Sequence, residues 1–288
     1  MLLHHRFVRT AKAFGGKPAI IDRATGTRLS YERALIASLL VADKLEQGDE
    51  GFLGIMLPSS AGCILAVLGT LLAGRTPVMI NYSTGAEQNC RYAQKKCAFT
   101  TILTSKALLT KIGCPVLPGM IFLEDVMASL TAFDKAKAAL RAKLPTALLL
   151  RTVHGGNLDD SAVLLFTSGS ERDPKAVQLT HRNIGANLAG ISETLPLSAS
   201  EIFLANLPLF HVFGLTTNLW LPLYHGMTIV TYPNPLEFKT ICDIIREEKI
   251  TFVVGTPIFM WGYLRKSERG DFASCRIMLT GADKTPDT

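Results

Sequence analysis

Cysteine is scarce in this 288-residue sequence, and no two cysteines have the C-x-x-C spacing of a zinc or redox motif. Most stand in apolar surroundings, so we predict free thiols in a reducing, cytoplasmic compartment at positions 63, 90, 97, 114, 242 and 275. Histidine is also rare, and the residues at positions 4, 5, 154 and 225 lack metal-ligand spacing. The sequence therefore predicts no metal site built from protein side chains alone.

Long runs of one charge are absent as well. The net charge is +6, but the lysines and arginines are scattered, with no basic arm, aromatic–basic stripe or helix-turn-helix pattern. This distribution argues against a nucleic-acid partner. It is compatible with an anionic ligand or with contact to a membrane surface.

The sequence lacks an obvious membrane-targeting segment. Residues 1–9 are polar and basic, without the apolar stretch of a signal peptide. Residues 52–74 carry no charge, but Pro58 divides them into halves that are each too short to cross a bilayer. A strand followed by a buried helix is the better interpretation.

What the sequence does contain is a regular alternation of strand and helix patterns, with 48% hydrophobic residues to supply a core. The predicted fold class is α/β, with two βαβ lobes of mainly parallel sheets layered with helices. A glycine-containing loop near residue 155 divides the chain into a first lobe, residues 1–155, and a second lobe, residues 156–288. Predicted strands are 19–22, 28–29, 52–57, 77–80, 101–104, 120–122, 162–166, 177–179, 202–205, 228–231, 252–255 and 276–280. Predicted helices are 1–14, 30–45, 61–73, 86–97, 106–112, 134–144, 181–195, 213–224, 236–248 and 257–266.

The most informative stretch follows the buried strand 162–166. Its backbone N–H groups can form a concave nest, to which hydroxyls and one ammonium group are added by Thr167, Ser168, Ser170 and Lys175. Gly169 permits a positive φ and a close approach to a ligand. The alternative is an exposed turn that binds nothing, since these are also ordinary turn residues. A Walker A motif is excluded because Ala176 follows the lysine.

This stretch resembles the phosphate-loop signature T-S-G-S/T-T-G-x-P-K-G of the adenylate-forming superfamily, which includes acyl-CoA synthetases, peptide-synthetase adenylation domains and luciferases. The matching positions are Thr167, Ser168, Gly169, Ser170, Pro174 and Lys175. The sequence departs from the signature at Glu171, Arg172 and Ala176. A glutamate at position 171 resembles the branch of acyl-acyl-carrier-protein synthetase and 2-acylglycerophosphoethanolamine acyltransferase.

Two later segments extend the resemblance. Residues 207–214 are similar to a second signature, in which a histidine or aromatic residue gates the acyl channel; the candidates here are His211, Phe213 and Gly214. Residues 280–283 resemble a segment whose backbone lies along adenine, which points to Gly281 and Ala282. Taken alone, His211 fits a structural histidine under a loop better than a site residue, and the loop motif reverses this preference. The alternative for Gly281 is an ordinary turn glycine.

The resemblance implies a reaction. A carboxylate attacks the α-phosphate of ATP·Mg²⁺, and the nearest branch implies that this carboxylate is a long-chain fatty acid. The acyl group then passes to CoA or an acyl carrier protein, and from there to a lysophospholipid. Phosphate contacts fall on Thr167, Ser168, Gly169, Ser170, Glu171 and Lys175, adenine contacts on Gly281 and Ala282. His211 is the catalytic candidate and meets the substrate with Phe213 and Gly214. Glu171 fits a phosphate site only if a cation pairs with it or it helps to hold Mg²⁺.

Two expectations qualify this function. Because the family's later segments lie beyond Thr288, the chain resembles the N-terminal portion of such an enzyme and is expected to be inactive alone, while its parent contacts a membrane surface. The alternative is a degenerate AMP-binding lobe with a binding or scaffolding role, which Arg172 and Ala176 favour.

Overall fold

Two six-stranded sheets organise the computed structural model, which describes residues 1–46, 51–167 and 174–284. The first sheet has the strand order β12-β11-β9-β10-β1-β2, and the second has the order β6-β5-β3-β4-β7-β8. The strands are β1 Pro18–Asp22, β2 Arg28–Ser30, β3 Phe52–Ile55, β4 Thr76–Met79, β5 Ile102–Thr104, β6 Met120–Phe122, β7 Ser161–Thr167, β8 Lys175–Thr180, β9 Ile202–Ala205, β10 Thr228–Thr231, β11 Phe252–Gly255 and β12 Ile277–Thr280.

Both sheets are parallel except at one edge, where β2 and β8 run antiparallel to their neighbours. The predicted α/β class with mainly parallel sheets is therefore confirmed. The sheets do not follow the predicted division at residue 155, however. Strand β1 pairs with β10, with Ile20 opposite Ile229, and β7 pairs with β4, with Leu164 opposite Val78. Each sheet thus contains strands from both predicted segments. The sequence could not predict this arrangement, because local periodicity identifies strands but not their partners.

The helices surround and separate these sheets. They are α1 Leu3–Phe14, α2 Tyr31–Leu45, α3 Ala61–Leu72, α4 Ala86–Cys97, α5 Lys106–Ile112, α6 Leu123–Ala128, α7 Ala132–Lys143, α8 Thr146–Leu149, α9 His181–Thr194, α10 Val212–Gly214, α11 Leu221–His225, α12 Phe238–Glu247 and α13 Pro257–Lys266. A π-helical segment, Leu215–Trp220, joins α10 to α11 within the helix predicted at 213–224. Helices α6 and α8 have no counterpart in the prediction.

Helix α3 lies in the largest hydrophobic cluster, which includes residues of both sheets such as Leu53 and Phe203. The helix is apolar on nearly all sides, as expected for a helix buried all round. At Gly69 an added Cβ would lie 2.5 Å from Cγ1 of Val41, so α2 and α3 approach each other closely. The prediction of a strand and a buried helix at 52–74 is confirmed. No described helix has the length and apolarity needed to cross a bilayer.

Helix α7 is rich in alanine and lysine, and one of its faces packs into the protein. Ala138 and Ala142 are buried in the main hydrophobic cluster. Two cations of α7, Lys137 and Arg141, form ion pairs with Asp43 of α2. The alanines thus form a packing face. The prediction of free cysteines is confirmed for all six.

Candidate functional site

The carboxyl ends of three neighbouring parallel strands, β9, β11 and β12, meet at one edge of the first sheet. Open α/β sheets bind ligands at this edge. The segment 206–214 leaves β9 here, and residues 281–284 leave β12. The topology therefore places the predicted acyl segment and the predicted adenine segment at the same edge.

Phe213 and Gly281 are in direct contact. A Cβ built on Gly281 would lie 2.8 Å from Cζ of Phe213, so the phenyl ring rests on the glycine backbone. The Gly281 N–H donates to the carbonyl of Gly255 at 3.0 Å, and Ala282 has a left-handed φ of 66°. The Phe213 ring thus lies against the Gly281 backbone where a side chain would begin, and position 281 therefore requires glycine.

His211 is exposed just before α10 and belongs to a row of aromatic rings. Its ring lies 4.6 Å from that of Phe210, which lies 5.0 Å edge-on from Tyr82 in the segment after β4 of the second sheet. Partial desolvation lowers the pKa of His211, so the imidazole is neutral at pH 7. A neutral imidazole at this position can donate or accept a hydrogen bond but supplies no positive charge.

Gly214 allows α10 to begin close to the preceding loop. A Cβ at this position would lie 2.3 Å from the carbonyl oxygen of Pro208, which is a backbone atom and cannot rotate away. The residue is buried. Its role in this structure is therefore close packing, which sets the direction of the helix that carries Phe213.

We expect Gly214→Ala to lower the free energy of unfolding by about 1–3 kcal/mol, because the loop before α10 must shift to admit the methyl group. Gly185→Ala, at a helical position where nothing lies within 4 Å of the added Cβ, is the matched control and should be neutral or stabilising. Urea titration monitored by circular dichroism measures both changes. Equal effects of the two substitutions would contradict the packing role.

The predicted phosphate loop connects β7 to β8. Thr167 and Lys175 face each other across this antiparallel pair, and both are exposed. The Tyr92 hydroxyl of α4 donates to the carbonyl of Pro174 at 2.8 Å, which anchors the loop's end. The structure therefore brings the two ends of the loop together. Residues 168–173 lie outside the described part, and the phosphate contacts assigned to Ser168, Gly169, Ser170 and Glu171 stay predictions.

Two tyrosines that the sequence analysis did not single out lie beside the predicted site residues, one at the loop between β7 and β8 and one in the aromatic row. Tyr92 supports the loop, and Tyr82 links the aromatic row to the second sheet. The signal for Tyr82 was available, since it stands two residues after a predicted strand end, where ligand-binding residues collect. Tyr92 gave no signal because it lies within a helix. Within the described ranges, no cluster of three or more histidine, cysteine or acidic side chains could hold a metal ion.

Comparison with known proteins agrees with this architecture. The chain is 25% identical over 297 residues to 4-coumarate–CoA ligase 1 of Petroselinum crispum, which covers 97% of this chain and 52% of the relative. It is 24% identical over 282 residues to long-chain-fatty-acid–CoA ligase ACSBG2 of Xenopus laevis, covering 88% of this chain and 37% of that protein. The chain therefore spans about half the length, or less, of these curated relatives.

Among solved structures, o-succinylbenzoate CoA synthetase (MenE) of Bacillus subtilis, in complex with its acyl-adenylate intermediate, superposes with a TM-score of 0.80. The sequence identity is 19%, and the match covers 98% of this chain and 54% of the other, so this likeness shows the fold alone. At the level of sequence, the family described as AMP-binding enzyme matches residues 7–288, nearly the whole chain. The chain belongs to the AMP-binding enzyme family.

Proposed function

We propose that this chain is the N-terminal part of an acid–thiol ligase, which activates a carboxylate with ATP as an acyl-adenylate and transfers the acyl group to a thiol. The contact between Phe213 and Gly281 carries the proposal, since it joins the acyl segment and the adenine segment at one sheet edge. The names of the relatives, CoA ligases for 4-coumarate and long-chain fatty acids, support carboxylate as substrate and CoA as acceptor.

In this proposal the loop between β7 and β8 binds the β- and γ-phosphates of ATP. Thr167 and Lys175, exposed on adjacent strands, supply a hydroxyl and an ammonium group of the kind a polyanion requires. Ser168, Gly169 and Ser170 add backbone and hydroxyl donors. Mg²⁺ accompanies the phosphates, as this hard cation usually does, and Glu171 contributes to holding it.

Gly281 and Ala282 lie beside adenine, and Phe213 separates that surface from the acyl group. Neutral His211 donates a hydrogen bond to the substrate carboxylate or its adenylate without adding charge. Gly214 positions both residues through its contact with Pro208. Charge repulsion opposes the approach of a carboxylate to a polyphosphate. The fixed hydrogen-bond donors offset this repulsion because they stabilise the negative charge that develops during the reaction.

The finer assignment rests on Glu171, because a glutamate at this position of the loop is a point of similarity to the acyl-acyl-carrier-protein synthetase branch. We propose a long-chain fatty acid as substrate, CoA or an acyl carrier protein as acceptor, and onward transfer to a lysophospholipid at a membrane surface. The relative named for long-chain fatty acids supports the substrate class.

A degenerate lobe that binds nucleotide without chemistry is the second candidate, and Arg172 and Ala176 favour it. Ala176 is less of an obstacle than the sequence suggests. It lies within β8 opposite Phe166, and it is not among the described residues with positive φ, so an alanine fits there without strain.

ATP–pyrophosphate exchange in the full-length protein, with fatty acids of graded length, tests the proposal. We expect exchange that Lys175→Ala lowers by about 10²-fold, since a lost phosphate donor typically has that effect. Lys95→Ala, an exposed lysine of α4, should leave it unchanged. The 288-residue chain alone should show no exchange, because its relatives are about twice as long. ATP binding without exchange for any carboxylate would favour the degenerate lobe.

A further inference from the structure

Helix α7 presents an apolar stripe to solvent on the side opposite its packing face. Phe133 and Leu140 are 76% and 68% exposed, the highest values among the large apolar side chains of the described chain. They stand seven positions apart with the exposed Ala136 between them, so these three residues, the α7 stripe, line one face of the helix. Single exposed apolar side chains are ordinary, but a row of them on one helical face indicates contact with an apolar partner.

The opposite face of α7 is fixed to the protein, so the stripe cannot turn inward without loss of other contacts. Ala138 and Ala142 are buried in the main hydrophobic cluster, and Arg141 forms an ion pair with Asp43 of α2. A capping box that starts at Thr131 fixes the first turn of the helix. The structure therefore holds the α7 stripe at the surface.

Positive charge accompanies the stripe. Residues 132–151, which contain α7 and α8, include five lysine or arginine residues and one acidic residue. Lys135 and Lys143 of α7 are exposed and form no ion pair with any side chain in the described ranges. Two further cations, Lys137 and Arg141, share the single negative charge of Asp43, so that group is also positive as a whole. An anionic partner would therefore be attracted to this helix.

The acidic groups of α7, of α6 and of the end of α2 are each bound within the protein or lie in the groove between α2 and α7. They are Asp43, Glu46, Glu124, Asp125 and Asp134. The one on α7 itself, Asp134, caps the helix and pairs with Lys44 of α2 at 3.3 Å. The outward face of α7 thus combines apolar groups and ammonium groups without a carboxylate among them.

We propose that α7 is a membrane-surface helix, which lays its stripe on a bilayer that contains anionic lipid. Phe133 and Leu140 enter the boundary between head groups and acyl chains, and Lys135 and Lys143 meet the phosphates of the head groups. An apolar face accompanied by lysines is typical of helices that lie in this plane. A protein partner would need an apolar groove edged by carboxylates, whereas an anionic bilayer offers both chemistries over its whole surface.

The α7 stripe lies outside the candidate site, and lipid binding there requires neither ATP nor a carboxylate. The inference rests on the proposed function only in that it gives the membrane contact of that function a location. The two proposals can therefore fail separately. Loss of vesicle binding would leave ATP–pyrophosphate exchange by the full-length protein unchanged, and loss of exchange would leave vesicle binding unchanged.

Flotation of the 288-residue chain with lipid vesicles, without nucleotide or fatty acid, tests the proposal. The vesicles contain phosphatidylcholine alone, or phosphatidylcholine with about one third phosphatidylglycerol. We expect binding to the anionic vesicles at physiological ionic strength, and binding to the neutral vesicles that is weaker by about tenfold or more. Phe133→Ala combined with Leu140→Ala should weaken binding by about tenfold or more, because the apolar groups that insert are lost. Lys135→Gln combined with Lys143→Gln should weaken it by about fivefold or more.

Two double variants elsewhere on the surface are matched controls, and both should bind like the parent chain. Ile258→Ala with Leu264→Ala removes comparably exposed apolar groups from α13, and Lys95→Gln with Lys96→Gln removes two exposed charges from α4. Circular dichroism melting confirms that each variant is folded. Equal affinity for the two kinds of vesicle, or binding that the substitutions on α7 do not alter, would overturn the proposal.

Phe133→Trp reports insertion directly. Its fluorescence should shift to shorter wavelength on anionic vesicles and should be quenched by brominated acyl chains, whereas Ile258→Trp on α13 should show neither change. Light scattering without lipid examines a second copy of the chain as the partner. A dimer that Leu140→Ala dissociates would show that the stripe joins two copies, and it would contradict the membrane assignment.

Discussion

Lowering the pH from 7 to 4 is expected to reduce the free energy of unfolding by about 4–6 kcal/mol through two buried histidines. Burial lowers the pKa of His4 to about 3 and that of His181 to about 4. Their ordinary pKa is 6.5, so the unfolded chain binds more protons than the folded chain below that value. Stability from these groups is fully present above pH 6.5 and is lost as the pH falls toward 4.

The geometry explains why protonation is costly. Nε2 of His4 donates to the carbonyl of His154 at 3.0 Å, which leaves Nδ1 unprotonated, buried and without a partner in the described structure. Nδ1 of His181 accepts the Leu3 N–H at 3.2 Å, so a proton there breaks this bond. The two rings lie 5.3 Å apart, and a second charge would be repelled by the first.

Urea unfolding at several pH values, with variants, measures this effect. His4→Phe removes the titrating group but keeps a ring, and His181→Asn keeps an acceptor for the Leu3 N–H. The double variant should lose most of the difference in stability between pH 7 and 4, whereas His211→Asn, an exposed control, should change it by less than about 1 kcal/mol. A double variant with the parent's full pH dependence would show that other groups control acid unfolding.

Local signals predicted the elements well. Helix α13 begins and ends where the sequence predicts, because Pro257 at the first helical position fixes its start. Motifs predicted a site role for the segments containing Phe213 and Gly281, and that role stays a prediction. Their mutual contact was not predictable, since it depends on two strands, β9 and β12, that end at the same sheet edge.

The sequence pattern could not predict which distant strands and helices contact each other. Strand β1 joins β10 more than 200 residues later, and the ring of His4 lies beside that of His181, which follows 177 residues later. Hydrophobic periodicity reports which face of an element is buried but not which element covers it. The cavity of about 660 Å³ between the two sheets escaped prediction for the same reason, because its walls come from segments that are scattered along the chain.

Asp22, the last residue of β1, is a buried polar residue whose hydrogen bonds link the first sheet to the helix that follows β3. Its carboxylate is buried and accepts the N–H groups of Ala24 and Thr25, in the turn after β1, at 3.0 and 3.2 Å. The other oxygen accepts the N–H of Ala61 at the start of α3, the helix that follows β3 of the second sheet. One side chain thus connects the first sheet to the helix between the sheets.

Asp22→Ala is therefore expected to lower the free energy of unfolding by about 3–5 kcal/mol, since it strands buried N–H donors that each cost about 1–3 kcal/mol. Asp22→Asn should lose a large part of the same stability, because its amide NH₂ must face an N–H donor at one of the two positions. Asp159→Asn, at an exposed ion pair with Arg182, should change it by less than about 1 kcal/mol. Urea denaturation at pH 7 ranks the three variants. If Asp22→Asn were as stable as the parent chain, the carboxylate would act through only one of its oxygens, and the simultaneous bonding of the β1 turn and α3 would not be energetically important.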